Sequence, residues 1–221
     1  MANLKYYDSG AEAWETLVIG KQGPTGPEGP AGPGFPAGGA TGQVLAKTSS
    51  VDYATEWVAP SGLTLLGTHT VSGAAKLLLD DVFSATYDNY RIAINVDSSS
   101  ALADMFFRLR ASGSPLSASS YVYGEFYVGA LNGAGFASTS NTTQTALKLS
   151  GTNITNGSLI FIEVVNPFDT QSTKLNSFGG GSNLYISGGA YTATTSADGF
   201  EIYPGAGTIT GEIRVYGYRK S

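Results

Sequence analysis

From about residue 62 onward, hydrophobic and polar residues alternate. Tyr90, Ile92, Ile94 and Val96 alternate with Arg91, Ala93 and Asn95, and Ile209, Ile213 and Val215 with Thr208, Thr210, Glu212 and Arg214. Side chains repeating every second residue stand on one face of an extended chain, so the pattern predicts half-buried strands. The same rhythm predicts strands over 63–71, 76–83, 105–110, 121–131, 145–149, 159–165, 183–187 and 200–203. Gly-, Ser- and Asn-rich breaks separate them, and no segment carries a helical period. A mostly-β chain with a jelly-roll-like sandwich over 62–221 is expected. Two of the breaks, 132–143 and 176–183, read as polar Gly-rich loops. Phe136 and Phe178 are their only large apolar residues and are candidate ligand contacts at loop tips.

The first 60 residues follow other rules. Residues 1–19 carry Leu4, Tyr6, Tyr7, Trp14, Leu17, Val18 and Ile19, with a strand expected over 14–19 and a turn at Asp8-Ser9-Gly10. That is too apolar for a solvated tail and too short for a core of its own. It reads as an anchor onto a larger assembly through Tyr6, Tyr7, Trp14, Leu17 and Val18, with self-packing in an oligomer as the alternative. Next, Gly20, Gly23, Gly26, Gly29 and Gly32 recur every third residue, and Pro24, Pro27, Pro30 and Pro33 each follow a glycine. This is the Gly-X-Y repeat of a collagen triple helix, where only glycine fits the axis between three polyproline-II strands. At ~3.1 Å per residue such a stalk is only ~45 Å long. So short a triple helix needs a flanking element to bring three chains together. Residues 39–61 then read as two short strands, 43–47 and 54–58, around a Ser/Asp turn. The organisation expected is an anchor at 1–19, a collagen-like stalk at 20–38, a β connector at 39–61 and a β head at 62–221, in a homotrimer.

Composition narrows the chemistry. The chain has 221 residues, no Cys, one His and a net charge of −5, which removes disulfides, thiolate metal sites and cysteine nucleophiles. An acidic balance is the wrong sign for neutralising phosphates, so no nucleic-acid partner is expected. No apolar run reaches the roughly 18 residues of a membrane span, and no signal-peptide pattern opens the chain. His69, the one histidine, has no Gly-x-Ser-x-Gly elbow to serve, and no phosphate-binding glycine loop is present. The chain is read as a non-enzyme with no cofactor and no metal site.

The strongest binding motif is YVYGEFY, residues 121–127. On a strand, Tyr121, Tyr123, Glu125 and Tyr127 share one face and Val122, Phe126 and Val128 the other. The apolar face reads as core. The tyrosines and carboxylate read either as a surface for stacking and hydrogen-bonding sugars or as a subunit contact, where Tyr is also favoured.

The whole layout resembles bacteriophage fibre proteins. The connector supplies the most specific part of the likeness, through Gly42, Gln43, Val44, Leu45, Lys47, Ser49, Asp52, Tyr53, Thr55, Glu56 and Trp57, and residues 187–221 resemble the end of the β domain in such proteins. The resemblance implies a homotrimer on the virion surface. Residues 1–19 would be seated on a capsid or tail protein, and the β domain would face outward to meet a host cell-surface glycan. A capsid decoration or head fibre with a structural role is the alternative it allows.

Overall fold

The computed structural model describes residues 4–16, 25–29, 34–60, 62–129, 136–150, 157–180 and 183–219. The chain divides into two compact units, 1–60 and 61–221. Among the described residues all regular secondary structure is β.

In the first unit, β1 (Lys5–Asp8) and β2 (Ala13–Thr16) form an antiparallel hairpin. Asp8 Oδ1 accepts the Gly10 amide at 2.8 Å, which closes the turn. Tyr7 stands opposite Trp14 with ring centroids 5.3 Å apart, and both rings are exposed, as is Tyr6. The anchor residues Leu17 and Val18, and Gly20, Gly23 and Gly32 of the repeat, lie outside the described residues. Residues 25–29 and 34–42 form neither helix nor strand. The connector is a second hairpin of β3 (Val44–Lys47) and β4 (Thr55–Val58). Its Trp57 indole N–H donates to the Pro36 carbonyl at 2.9 Å. The Trp57 ring also lies so close over Gly39 that a Cβ there would sit 2.8 Å from it.

Among the described residues the second unit holds thirteen strands. These are β5 (Leu63–Ala74), β6 (Leu77–Leu79), β7 (Tyr87–Ser99), β8 (Met105–Ala111), β9 (Ser114–Pro115), β10 (Tyr121–Gly129), β11 (Phe136–Gln144), β12 (Leu147–Ser150), β13 (Ser158–Val165), β14 (Thr173–Gly180), β15 (Asn183–Tyr191), β16 (Gly199–Pro204) and β17 (Ile209–Arg219). An eight-stranded antiparallel sheet runs β11-β10-β15-β14-β13-β7-β17-β5, and a five-stranded one runs β12-β8-β16-β6 with β9 added on β8. Their inner faces share one core. Ile92, Ile94, Ile160, Ile162, Ile213 and Val215 come from the larger sheet, and Phe107, Leu109, Phe200 and Ile202 from the smaller. The sandwich class predicted from the alternation is therefore present.

The structure differs from the pattern at three places. Most of what reads as loop in 132–143 and 176–183 is strand, β11 and β14. The inward positions of β14 are Thr173, Leu175, Ser177 and Gly179, small or polar residues that hide the alternation. At Gly179 the reason is contact: a Cβ would fall 2.1 Å from the Leu159 carbonyl oxygen of β13. The strand expected over 76–83 stops at Leu79, because Asp81 adopts φ +58 and the Val82 and Phe83 amides turn to the Asp198 carbonyl.

The outer face of the five-stranded sheet carries a buried ion network. Arg108 and Arg110 of β8 both reach Glu201 of β16, at 2.8 and 3.3 Å, and Arg110 also donates to Asp80 at 2.7 Å. Lys76 stands 3.5 Å from Glu201, and Arg108 donates to the Tyr203 hydroxyl at 2.7 Å. The hydrogen bond to Asp80 holds the Arg110 guanidinium above its ordinary pKa.

Candidate ligand-binding face

The tyrosine motif folds the other way round from the pattern reading. Tyr121, Tyr123 and Glu125 point into the sandwich, while Val122, Gly124 and Phe126 face out. Alternation separates two faces without saying which is inner; hydrogen bonding decides here. Tyr121 is fully buried because its hydroxyl accepts the Leu109 amide at 2.9 Å. Glu125 Oε2 accepts the Thr139 hydroxyl at 2.9 Å, and Lys148 Nζ lies 3.9 Å from Oε1. Tyr127, half-buried, stacks on Tyr185 with centroids 5.2 Å apart. Phe178 is not at a loop tip but in the middle of the large sheet, and Phe136 opens β11.

Burial, with the Glu125 carboxylate second, pushes the Tyr123 phenol up to about 12. The folded state therefore keeps a proton that the unfolded chain loses near pH 10, so stability falls as pH rises from 10 to 12. Burial raises Tyr121, Tyr185, Tyr203 and Tyr218 as well, so denaturant titrations across that range should show the loss and Tyr123→Phe should reduce its slope without abolishing it. An unchanged slope in the variant would assign the loss elsewhere.

The outer face of the eight-stranded sheet is the surface with ligand-binding geometry. One register row crosses all its strands: Ser138, Phe126, Ile186, Phe178, Phe161, Ala93, Arg214 and Thr68. Its middle is an apolar ridge in which Phe126, Ile186 and Phe178 are exposed, Phe178 by 52%. The next row reads Gly124, Gly188, Asn176, Glu163, Arg91 and Tyr216. Two side-by-side glycines leave a trough beside the ridge. The Asn176 amide leans over it, with Oδ1 2.9 Å from where a Gly188 Cβ would stand.

At the far end of that row, Arg91 and Glu163 form an ion pair in which both Nε and Nη2 of the guanidinium meet Glu163 Oε1. The Tyr218 hydroxyl donates to both Glu163 oxygens at 2.9 and 2.8 Å. The bond to Glu163 raises the Arg91 pKa, and burial, then that carboxylate, raise the Tyr218 phenol. Arg91 and Tyr218 keep their protons through the ordinary pH range, and the formal charges of Arg91 and Glu163 cancel. Ridge, trough and fork enclose a groove of about 490 Å³. Its shape suits a flat ligand with an apolar face for the phenyl rings and a hydroxyl-bearing edge for Asn176, Glu163 and Arg91. Sequence reading found Phe178 but missed Arg91, Phe161, Glu163, Asn176 and Ile186. They are spread over β7, β13, β14 and β15, and only the register joins them.

The sequence matches no protein-family model and no curated protein sequence. Among solved structures it is similar to the Caenorhabditis elegans galectin LEC-6, at 11% identity over 67% of this chain and 94% of that one, with a TM-score of 0.35. A likeness that low transfers neither activity nor ligand.

Proposed function

We propose that this protein is a trimeric bacteriophage fibre, seated on the virion by its N-terminal hairpin and presenting the β-sandwich for attachment to a host cell-surface glycan. The observation that carries the reading is the glycine repeat. A glycine is required by its own chain either for a positive φ or for close approach. Gly26 and Gly29 have neither: their φ values lie outside the left-handed region, and nothing stands within 4 Å of a Cβ placed on them. Gly34, outside the three-residue phase, has neither as well, so it is the phased recurrence of glycine with proline that supports a collagen axis. The exposed Tyr6, Tyr7 and Trp14 support the anchor role, since a bare hairpin with three aromatic rings outward leaves them for a partner surface.

The groove supports the glycan. A pyranose has a C–H face that stacks on Phe161 and Phe178 and hydroxyls that pair with Asn176 and the Arg91–Glu163 fork. Because the fork is neutral, uncharged sugars suit it best. Three weak sites on one trimer gain avidity without new contacts. The test is binding of the full chain to a panel of immobilised bacterial surface polysaccharides. Wild type should bind at least one, and Phe178→Ala or Asn176→Ala should weaken each site about three- to tenfold. Absence of binding across the panel, or equal binding by the variants, overturns the glycan assignment.

A further inference from the structure

Outside the groove, one run of exposed apolar residues lies on the sheet edge formed by β5. Among the described residues this strand is paired only with β17. Along its twelve residues it carries no Lys, Arg, Asp, Glu or Pro. Free edges are ordinarily protected by such residues, because their unpaired N–H and C=O groups invite another chain. This one instead presents Leu63, Leu65 and Leu66, with Leu65 53% exposed. The opposite edge of the large sheet, β11, also lacks charged residues and Pro, but carries Ser138, Thr139, Ser140 and Asn141 where β5 carries leucines.

We infer that the free edge of β5, with Leu63, Leu65 and Leu66, is the surface on which each head meets further copies of this chain. The inference rests on the three-chain reading above and says where that trimer is held. The occupant follows from the chain path. Leu63 lies three residues beyond Pro60, a reach of at most about 11 Å. Whatever gathers three connectors also gathers the starts of three β5 strands. The collagen-like repeat is too short to hold three chains unaided, and an unguarded apolar edge at the entry to the head is the flanking element it needs. The arrangement keeps the groove clear. Phe178 on β14 is four strands from β5, about 19 Å across the sheet.

The register row supplies the test. Thr68 on β5 and Ser138 on β11 end the same row, both exposed, and the chain has no native cysteine to interfere. Spin labels are placed on full-length Thr68→Cys and, separately, Ser138→Cys, and distances between subunits are read alongside the mass by light scattering. A trimer with 68–68 distances clearly shorter than 138–138 is the expected result. A trimer with the opposite order overturns the β5 assignment and leaves the three-chain reading standing. A monomer overturns both. Leu65→Lys should raise the concentration at which the trimer dissociates by tenfold or more. An unchanged dissociation concentration counts against the edge.

Discussion

Glu201→Ala should destabilise the head by about 3–5 kcal/mol, the range for removing one partner of a buried charge network. The carboxylate is almost wholly inaccessible and is shared by Arg108 and Arg110, whose side chains are themselves only 14% and 7% exposed. Removing it leaves two guanidiniums facing a space that water enters poorly. Arg110 retains Asp80, and Arg108 retains the Tyr203 hydroxyl and the Thr145 carbonyl, so the strands should stay paired while the sheet weakens. For a domain of this size the melting temperature should drop by about 6–20 °C. Glu201→Gln keeps the shape and should fall between wild type and alanine. A change under about 1 kcal/mol in urea titration would show that solvent compensates the arginines freely.

Gly189→Ala is expected to be nearly as damaging for a different reason. Gly189 lies on β15, between β10 and β14, and a Cβ there would sit 2.0 Å from the Val122 carbonyl oxygen and 2.6 Å from the Tyr123 Cα. Both are backbone atoms of the neighbouring strand, so no rotamer change relieves the overlap. One methyl group must push β10 away from β15 or bend β15 out of the sheet. Overpacking of a core ordinarily costs about 1–3 kcal/mol; a backbone collision belongs at or above the top of that range. The damage should be local. Amide exchange should accelerate in β10 and β11, which reach the sheet only through β15, while β7, β13 and β17 keep their protection. Uniform acceleration would mean instead that the sheet opens as one unit.

The legible strands were those whose inward residues are large. Ile92, Ile94, Ile213 and Val215 announce their faces because bulky β-branched chains fill the sandwich. β14 was not legible, since its inward Thr173 and Ser177 are small and polar and its Gly179 lies where the β13 backbone comes too close for any side chain. The reversal of the YVYGEFY motif has a related origin. Hydropathy favours Phe126 over Tyr121 for burial, but a tyrosine whose hydroxyl is bonded, as Tyr121 is by Leu109, buries as readily as phenylalanine. The groove was the least legible part. Arg91, Phe161, Asn176 and Ile186 are distant in sequence, and each alone reads as an ordinary outward position on a strand. What makes them a site is the pairing register together with two glycines, Gly124 and Gly188, that contribute only missing side chains.

The order of the large sheet also sets a timetable for making the protein. β17, the last strand along the chain, lies between β5 and β7, the first long ones. His69 therefore waits for Ile213, and Ile92 for Val215, across more than half of the sequence. At ~5–20 residues per second, the interval between translating the two ends is on the order of ten seconds. Throughout it β5 lacks its one partner strand, with its leucines uncovered. The head cannot close while the ribosome is still adding its middle. Until β17 is made, the unpaired edges of β5 and β7 are the kind of exposed surface that makes folding intermediates prone to aggregate.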